Sequence, residues 1–311
     1  YGRLSAQQII DAKQPVACGT ISDWPALQTR GIHVDLKGYQ FRYPQLLQFI
    51  RDLACIKINC VLLEVEDKFN YTSAPRVGIR GAYIKSQFRK LAGLCRAHHI
   101  ELIPKLQSLG HSDYILKHKR YAHLREGSHP MQFCPFNAEG LRLWQAMADE
   151  LMDALPAGRY FHIGADETSY LGQCPVCRKH SKSECYLNRV GACIEHVRAR
   201  GRIPIMWDDI LRNLHNNLDA DEVRRTWTLG EKAILMYWAY GYGGQGNVFR
   251  TCPPTGAPGS PSGAPADTPG AARAGSRTYR HSGNGSKIST RGLKGHLRQI
   301  CREWFIPAGR A

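Results

Sequence analysis

The sequence of 311 residues lacks any apolar stretch of the roughly 18–20 residues that a membrane-spanning helix needs. It is also poor in acidic residues, with 26 Asp and Glu against 42 Lys and Arg, so its formal net charge is +16. The positive charge forms no dense basic stripe, and ten basic but only two acidic residues fall after position 249. The sequence therefore predicts no membrane partner and no nucleic-acid partner.

Two nucleotide- and metal-binding motifs are missing as well. No glycine-rich phosphate turn follows the first predicted strand, which disfavours a doubly wound dinucleotide-binding fold. His33 and His162 lie in predicted strands, but there is no His-x-His at the first strand, so a metal-dependent hydrolase is a weak alternative. We expect no cofactor.

What the sequence does contain is a regular alternation of strand-like and helix-like segments up to about residue 240. Such alternation predicts a parallel sheet covered by helices. Polar residues gather just after the strands, as in the active sites of (β/α)8 barrels, so we predict an α/β fold of TIM-barrel type with only about six β/α units. The predicted strands are Gly31–Leu36, Ile58–Val65, Ile100–Leu106, Arg159–Gly164, Ile203–Trp207 and Ala233–Tyr237.

The composition changes after about residue 250. Seven of the 17 prolines lie there, among Gly, Ala, Ser and Arg, and such a stretch buries too little apolar area to offset its ordering entropy. We predict a lead-in over residues 1–27, an incomplete barrel over 28–249 and a disordered tail over 250–311. The first residue is Tyr1 rather than Met, so we interpret the sequence as a fragment or a processed form.

One strand ends in two adjacent acids, in the segment Phe161-His162-Ile163-Gly164-Ala165-Asp166-Glu167-Thr168. Two carboxylates at the mouth of a buried strand are costly to desolvate together, because each disfavours ionisation of the other. A solvated loop with two surface acids is the alternative. Their position at a strand end favours a catalytic pair.

This segment resembles the His-x-Gly-Gly-Asp-Glu signature of glycoside hydrolase family 20, the β-N-acetylhexosaminidases, with Ala165 in place of the second glycine. Three more segments resemble the family in the same order: Arg30–Asp35, Pro104–His111 and Met206–Asp209. Leu63–Asp67 is most similar to the second strand of the single-domain, hexosaminidase-D-like branch. The family's seventh and eighth strands, with a Tyr-x-Asp and a Trp-x-Glu, have no counterpart here, so the resemblance is to a C-terminally incomplete member.

The resemblance implies a retaining reaction in which the substrate's own 2-acetamido oxygen is the nucleophile. Glu167 would be the general acid and base, and Asp166 would orient the acetamide. The expected partner is a carbohydrate with a terminal β-linked N-acetylhexosamine. The residues expected to bind that sugar are Arg30, His111, Trp207, Trp238, Asp208 and Glu66.

Two functions remain open at this point. The first is a β-N-acetylhexosaminidase, and the second is a catalytically impaired or sugar-binding truncated barrel. The two share a fold and differ in whether the pocket turns over substrate.

Eleven scattered cysteines, several in apolar segments, indicate a reduced protein, which favours a cytoplasmic location. Cys174-Pro175-Val176-Cys177 has the spacing of a zinc knuckle, and Cys185 and Cys193 follow it. The second pair is spaced by eight positions rather than three, so free thiols are the first expectation, and a structural zinc site on these four residues is the alternative.

Overall fold

The computed structural model describes residues 2–12, 19–213, 215–238 and 301–304. Within them the strands are β1 (Gly31–Asp35), β2 (Cys60–Glu64), β3 (Glu101–Lys105), β4 (Tyr160–His162), β5 (Ile203–Trp207), β6 (Ile234–Met236) and β7 (Cys301–Trp304). The helices are α1 (Gly2–Asp11), α2 (Tyr43–Cys55), α3 (Lys85–Ala97), α4 (Asp113–Leu116), α5 (Ala138–Ala154), α6 (Lys182–Ala199) and α7 (Ala220–Thr226). Short 3₁₀ helices cover Glu66–Lys68, Lys119–Leu124, Cys177–Lys179 and Trp227–Glu231.

The strands form one sheet in the order β6-β5-β4-β3-β2-β1-β7. Neighbours from β1 to β6 are parallel, with Gly31 opposite Cys60 and Cys60 opposite Glu101. These six strands and their helices make a half-barrel of the TIM type, which confirms the predicted fold class and the six predicted β/α units. All carboxyl ends of the six strands therefore meet along one edge.

Local sequence signals explain where the long helices begin. Asn137 caps α5 by accepting a hydrogen bond from the Gly140 amide, 2.9 Å away. Ser181 and Glu184 form a reciprocal capping box at the start of α6. Apolar residues at helical spacing then turn one face of α5, including the fully buried Trp144 and Leu151, toward the sheet.

Strand β7 departs from the prediction. Cys301–Trp304 pairs antiparallel with β1, with Gly31 opposite Trp304, whereas the sequence predicts no strand there and an open edge beside β1. The unpaired amides and carbonyls of an edge strand readily accept a further strand, which gives a physical reason for this pairing. The remaining residues of the predicted disordered tail lie outside the described part of the chain.

Two shorter helices were not predicted from the sequence either. Helix α1 lies within the predicted lead-in, and α4 is a single turn after β3. In the part of the chain that the structure describes, no helix combines the length and the apolar character that crossing a bilayer would require.

Candidate active site

Alternate residues of a strand point to opposite faces of the sheet, and this period selects the side chains of the site. In β2, Val61 and Leu63 pack into the large core shared with the helices. Cys60 and Leu62 belong to a smaller apolar cluster on the other face. Glu64 continues this second series at the carboxyl end of the strand, so the alternation turns its carboxylate away from the helices.

A cavity of about 220 Å³ lies at this edge of the sheet. Residues from the ends of all six parallel strands, or from the loops just after them, contribute to its wall. The lining residues are Asp35, Lys37, Glu64, Lys105, Gln107, His111, Asp166, Glu167, Trp207 and Trp238.

The two acids of the β4 loop share a histidine. His111 Nε2 lies 3.0 Å from Glu167 Oε2 and 3.6 Å from Asp166 Oδ2. The Asp166 side chain is 14% exposed and that of Glu167 is 39% exposed. Asp166 Oδ1 is buried and has no hydrogen-bond partner among the described residues. Asp166 is thus largely enclosed and has a free hydrogen-bond acceptor, whereas Glu167 is partly exposed to solvent.

The backbone around these acids adopts conformations that side chains disfavour. Ala165 has a φ of 70°, Glu167 of 48° and His111 of 50°. Non-glycine residues in this region store backbone strain, which persists only where neighbours fix it, and such residues concentrate at functional sites. One such neighbour is Asp209, whose Oδ2 accepts a hydrogen bond of 2.9 Å from the Glu167 amide.

Asp209 itself is fully buried beside the site. Burial raises the pKa of this carboxyl to about 7, although the hydrogen bond from the Glu167 amide acts in the opposite direction. His215 Nε2 lies 3.4 Å from the same oxygen. Asp209 therefore supports the conformation of the acid loop from behind rather than lining the cavity.

A buried ion network forms the floor of the cavity. Glu64 contacts His33 Nε2 at 2.9 Å and Lys105 Nζ at 2.8 Å, and its other oxygen lies 3.3 Å from Gln107 Nε2. Burial opposes ionisation of Glu64, but Lys105 and His33 outweigh it and hold the pKa well below its usual range. The pKa of Lys105 is raised because Glu64 and Asp166 more than offset the effect of burial. Both groups are charged, and their charges compensate each other.

Aromatic rings form the walls. Trp207 is 3% exposed, and its ring lies 4.4 Å from that of His162 and 5.2 Å from Lys105 Nζ. Burial, followed by the charge of Lys105, lowers the pKa of His162 well below its usual value, so this ring is neutral. Trp238 lines the cavity after β6. Such rings offer flat apolar surface beside the polar floor.

Lys37 marks the rim of the cavity on the β1 side. Its Nζ lies 3.4 Å from Glu66 and 3.6 Å from Asp113. Burial and the nearby charge of Glu64 raise the pKa of Glu66 to about 8. The amide of Lys37 donates to Asp35 Oδ1 at 2.7 Å, which orders the turn after β1.

Comparison with known protein families identifies the family whose fold and cavity these are. The family described as "Glycosyl hydrolase family 20, catalytic domain" matches residues 28–243. The chain belongs to glycosyl hydrolase family 20. The predicted family is confirmed.

Hexosaminidase D from Bos taurus is 35% identical over 195 residues, which are 60% of this chain and 56% of the bovine protein. Hexosaminidase D from Homo sapiens is also 35% identical, over 60% of this chain and 40% of the human protein. The chain thus spans about half the length of these family 20 relatives.

Solved structures agree on the fold. A Streptomyces plicatus β-hexosaminidase in complex with GlcNAc aligns with a TM-score of 0.56 and 19% identity, over 72% of this chain and 50% of that one. Another β-N-acetylhexosaminidase aligns with a TM-score of 0.58 and 22% identity, over 66% and 54% of the two chains. Each alignment covers roughly half of the solved structure and shows that the two chains share this fold.

Five of the site residues predicted for this family 20 chain meet at the cavity. They are Asp166, Glu167, His111, Trp207 and Trp238. They come from the ends of β3, β4, β5 and β6, so only the pairing of these four strands in one parallel sheet brings them together.

The other three predicted sugar-binding residues do not line the cavity. Arg30 precedes β1, at the opposite end of the strand from Asp35, and its guanidinium donates to the carbonyl oxygens of Leu27, Gln28 and Lys57. The expectation that Arg30 clamps sugar hydroxyls is corrected here, because five strand residues, about 16 Å, separate it from that edge.

Asp208 and Glu66 lie near the site but have protein partners. Asp208 Oδ2 pairs with Arg212 Nε at 2.9 Å, and Glu66 pairs with Lys37. Neither lines the cavity, so direct contact between these two side chains and a sugar is not supported by their positions.

Sequence reasoning missed five lining residues, which are Asp35, Lys37, Glu64, Lys105 and Gln107. Three of them follow from the period of two: Glu64 continues Cys60 and Leu62, and Lys105 and Gln107 continue Ile103 on the same face of β3. Counting along the strands identifies these residues without any motif.

Of the four cysteines considered as an alternative zinc site, only Cys174 and Cys177 belong to the group of possible ligands that the structure brings together. Cys174 and Cys177 lie beside Cys134 and Glu126, and the four ligand atoms fall within 4.8 Å of one another. Cys185 instead donates to the Cys177 carbonyl at 3.7 Å, and Cys193 is buried in α6. Cys134, 40 residues before Cys174 in the sequence, is a neighbour that the spacing of the cysteines did not suggest.

Proposed function

We propose that this chain is a β-N-acetylhexosaminidase that removes a terminal β-linked N-acetylhexosamine by substrate-assisted, retaining hydrolysis. Membership of family 20 supports a glycosidase of hexosaminidase type. The observation that carries the proposal is the arrangement of one enclosed acid with a free acceptor, Asp166 Oδ1, beside a more exposed acid, Glu167.

In the first step, Asp166 accepts a hydrogen bond from the acetamide N–H and turns the acetamide oxygen toward the anomeric carbon. That oxygen forms a bond to the carbon as the glycosidic bond breaks, and Glu167 gives its proton to the leaving oxygen. Asp166 stabilises the positive charge of the cyclic intermediate because it lies beside it as a carboxylate.

In the second step, Glu167 removes a proton from water, and the oxygen of that water bonds to the anomeric carbon and releases the acetamide. His111, at 3.0 Å from Glu167, is placed to hold this carboxylate in position through both steps. Trp207 and Trp238 provide the apolar walls expected around a sugar ring and an acetamide methyl group.

The cytoplasmic location of the protein stays a prediction from its cysteine content.

The size of the cavity fits removal of one terminal sugar. At about 220 Å³ it is smaller than the roughly 300–1,000 Å³ of pockets for drug-sized ligands. The carboxyl edge of the sheet offers polar groups for hydroxyls, namely Asp35, Lys37 and Gln107.

The experiment is hydrolysis of a fluorogenic N-acetylglucosaminide and N-acetylgalactosaminide by the purified chain. Glu167→Gln and Asp166→Asn are each expected to lower kcat by roughly 10²–10⁴-fold, the usual contribution of such groups. Glu139→Gln is the matched control, because Glu139 is an exposed residue of α5 that pairs with His123 and does not line the cavity. The corresponding glucoside, which has no acetamido group, should not be hydrolysed.

Equal turnover by the wild type and Glu167→Gln would contradict the assigned acid/base role. Tight binding of N-acetylglucosamine with no turnover by the wild type would instead favour the alternative, a sugar-binding barrel.

A further inference from the structure

A second cluster of functional side chains lies outside the cavity. It joins the loop after β4, which contributes Cys174 and Cys177, to the segment before α5, which contributes Glu126 and Cys134. Glu126, Cys134 and Cys177 are buried, and Cys174 is partly buried. The proposed reaction uses none of these four residues.

The sulfur positions match those around a tetrahedral metal. Cys134 Sγ lies 3.6 Å from both Cys174 Sγ and Cys177 Sγ. Four ligands at a Zn–S distance of about 2.3 Å lie about 3.8 Å apart at tetrahedral angles. A disulfide needs a separation of about 2.05 Å, and all three cysteines are free. The amide of Cys177 also donates to Cys174 Sγ at 3.3 Å, which holds this sulfur within the group.

Glu126 supplies the independent observation that points to a ligand. Its side chain is fully buried, and Oε1 accepts hydrogen bonds from the amides of Gln173 and Cys174 at 2.6 and 2.8 Å. Its other oxygen, Oε2, is buried and has no hydrogen-bond partner in the described chain. Among the described residues, none of the ion pairs within 4.0 Å includes Glu126. A buried carboxylate with one idle oxygen costs several kcal/mol in general unless a cation or donor faces it.

The buried guanidinium of Arg189 in α6 serves other groups. Arg189 donates from Nε to the Ser108 carbonyl at 2.8 Å and from Nη2 to the Gly140 carbonyl at 3.1 Å, and it stacks on Phe133. Its guanidinium therefore orders the surrounding backbone and does not neutralise Glu126.

We propose that Glu126, Cys134, Cys174 and Cys177 bind one Zn²⁺ and that this site fixes the loop that carries Asp166 and Glu167. Thiolates are ligands that select zinc over calcium or magnesium, and four protein ligands make a closed, structural site. The metal site does not depend on the proposed reaction, because its direct readout is metal content.

The surrounding hydrogen bonds connect this cluster to the cavity. The amide of Tyr170, between Glu167 and Cys174, donates to Gln132 Oε1 at 3.1 Å. The amide of Phe133 donates to the Leu109 carbonyl and that of Ser112 to the Met131 carbonyl. The segment before α5 thus contacts both loops that supply the His111–Glu167 pair. A metal bound by the four proposed ligands would therefore fix the positions of these two loops relative to each other. The four ligands are positioning residues, since none of them lines the cavity.

The test measures zinc in the full chain, purified in the presence of zinc and then dialysed into metal-free buffer. One zinc per chain is expected in the wild type, and at least a tenfold loss of affinity in Cys134→Ser. Cys185→Ser is the matched control, since Cys185 is equally buried, adjacent to the cluster and part of the set that sequence spacing suggested, yet it should keep one zinc.

Cobalt substitution gives a second readout that needs no variant. Wild-type protein loaded with Co²⁺ should show thiolate charge-transfer bands and the strong visible absorption of tetrahedral cobalt. Glu126→Gln should retain the thiolate bands but bind more weakly. A wild type with no zinc and no such spectrum, or a Cys134→Ser protein that binds zinc as the wild type does, would overturn the proposal. If Cys134→Ser does not fold, the wild-type cobalt spectrum and Glu126→Gln decide.

Discussion

The floor of the cavity and the cysteine cluster each bury a glutamate, but they treat its charge differently. Glu64, 4% exposed, is contacted by His33, Lys105 and Gln107, so the chain itself provides the compensating donors. Glu126, fully buried, has two amides on one oxygen and no partner on the other. The comparison teaches that the chain itself supplies the compensating charge in the first site, whereas in the second site, on our proposal, a metal ion from solution supplies it.

Removal of Lys105, the cation that pairs with Glu64 in the floor of the cavity, should have the largest effect on stability. Lys105→Met leaves Glu64 buried with its strongest partner gone, and we expect a loss of about 3–5 kcal/mol in the free energy of unfolding. Chemical denaturation measures it. Lys232→Met is the matched control, because Lys232 lies at the same 2.8 Å from Glu195, but both side chains are about half exposed. An equal loss in both variants would contradict the assignment of a buried, compensated pair.

Adding Glu64→Gln to Lys105→Met should recover part of this loss, because the remaining uncompensated charge is then removed. No recovery in the double variant would show that packing around Lys105, rather than its charge, accounts for the effect.

Removal of the proposed metal from the cysteine cluster should have the next largest effect on stability. Treatment with a strong chelator should lower the melting temperature of the wild type, by an amount equivalent to about 3 kcal/mol if the metal is present at roughly 100–200 times its Kd. In Cys134→Ser the chelator shift should be smaller by at least about 1.4 kcal/mol, because a site that binds at least tenfold more weakly gains less stability from the metal. Thermal unfolding followed by circular dichroism with and without chelator tests both, and identical shifts in the two proteins would contradict a metal role for Cys134.

The pH dependence distinguishes a third kind of buried acid, one whose pKa is raised rather than lowered. Burial raises the pKa of Glu66 to about 8 and that of Asp209 to about 7, so each holds a proton in the folded state that it has lost in the unfolded state. The free energy of unfolding should therefore fall as the pH rises from about 6.5 to 8, by on the order of 1 kcal/mol per unit. Below pH 6.5 the lowered pKa of His162 acts in the opposite direction, because its unfolded form then binds a proton.

Denaturation at several pH values checks this slope. Glu66→Gln should make it shallower, since the amide has no proton to lose, and should raise the free energy of unfolding at pH 8. An unchanged slope in Glu66→Gln would exclude Glu66 as its source.

The smallest effect is expected at Ala165, where the family signature has glycine. Ala165→Gly relieves a φ of 70° but removes a fully buried methyl group, and these contributions of about 1 kcal/mol each oppose one another. We expect a change within about 0.5 kcal/mol in denaturation experiments. By contrast, Gly110→Ala should destabilise clearly, because its Cβ would lie 2.5 Å from the Asp166 carbonyl oxygen. A large loss for Ala165→Gly would show that its methyl group is required for packing.

Much of the fold could be predicted from the sequence, because the spacing of apolar residues and the residues that begin and end helices and strands are local properties. The apolar runs of β1 to β6 and the helical spacing of α2, α3, α5, α6 and α7 each depend on neighbours within one segment. The pairing of β7 with β1 depends instead on an edge about 270 residues earlier in the chain, and no local pattern encodes it.

The candidate site likewise has features that the sequence predicts and features that only the structure shows. The sequence by itself determined that Asp166 and Glu167 follow a buried strand, that His111 and two tryptophans end neighbouring strands, and that these strands are parallel. Only the tertiary structure decided which polar residues share the cavity: it brought in Lys105 and Glu64 and directed Arg30 to backbone carbonyls at the opposite edge. It also joined Cys134 to Cys174 and Cys177. The physical reason is that a motif fixes residues along one strand, whereas charge compensation and metal-ligand geometry depend on distances between strands that exist only once the sheet has formed.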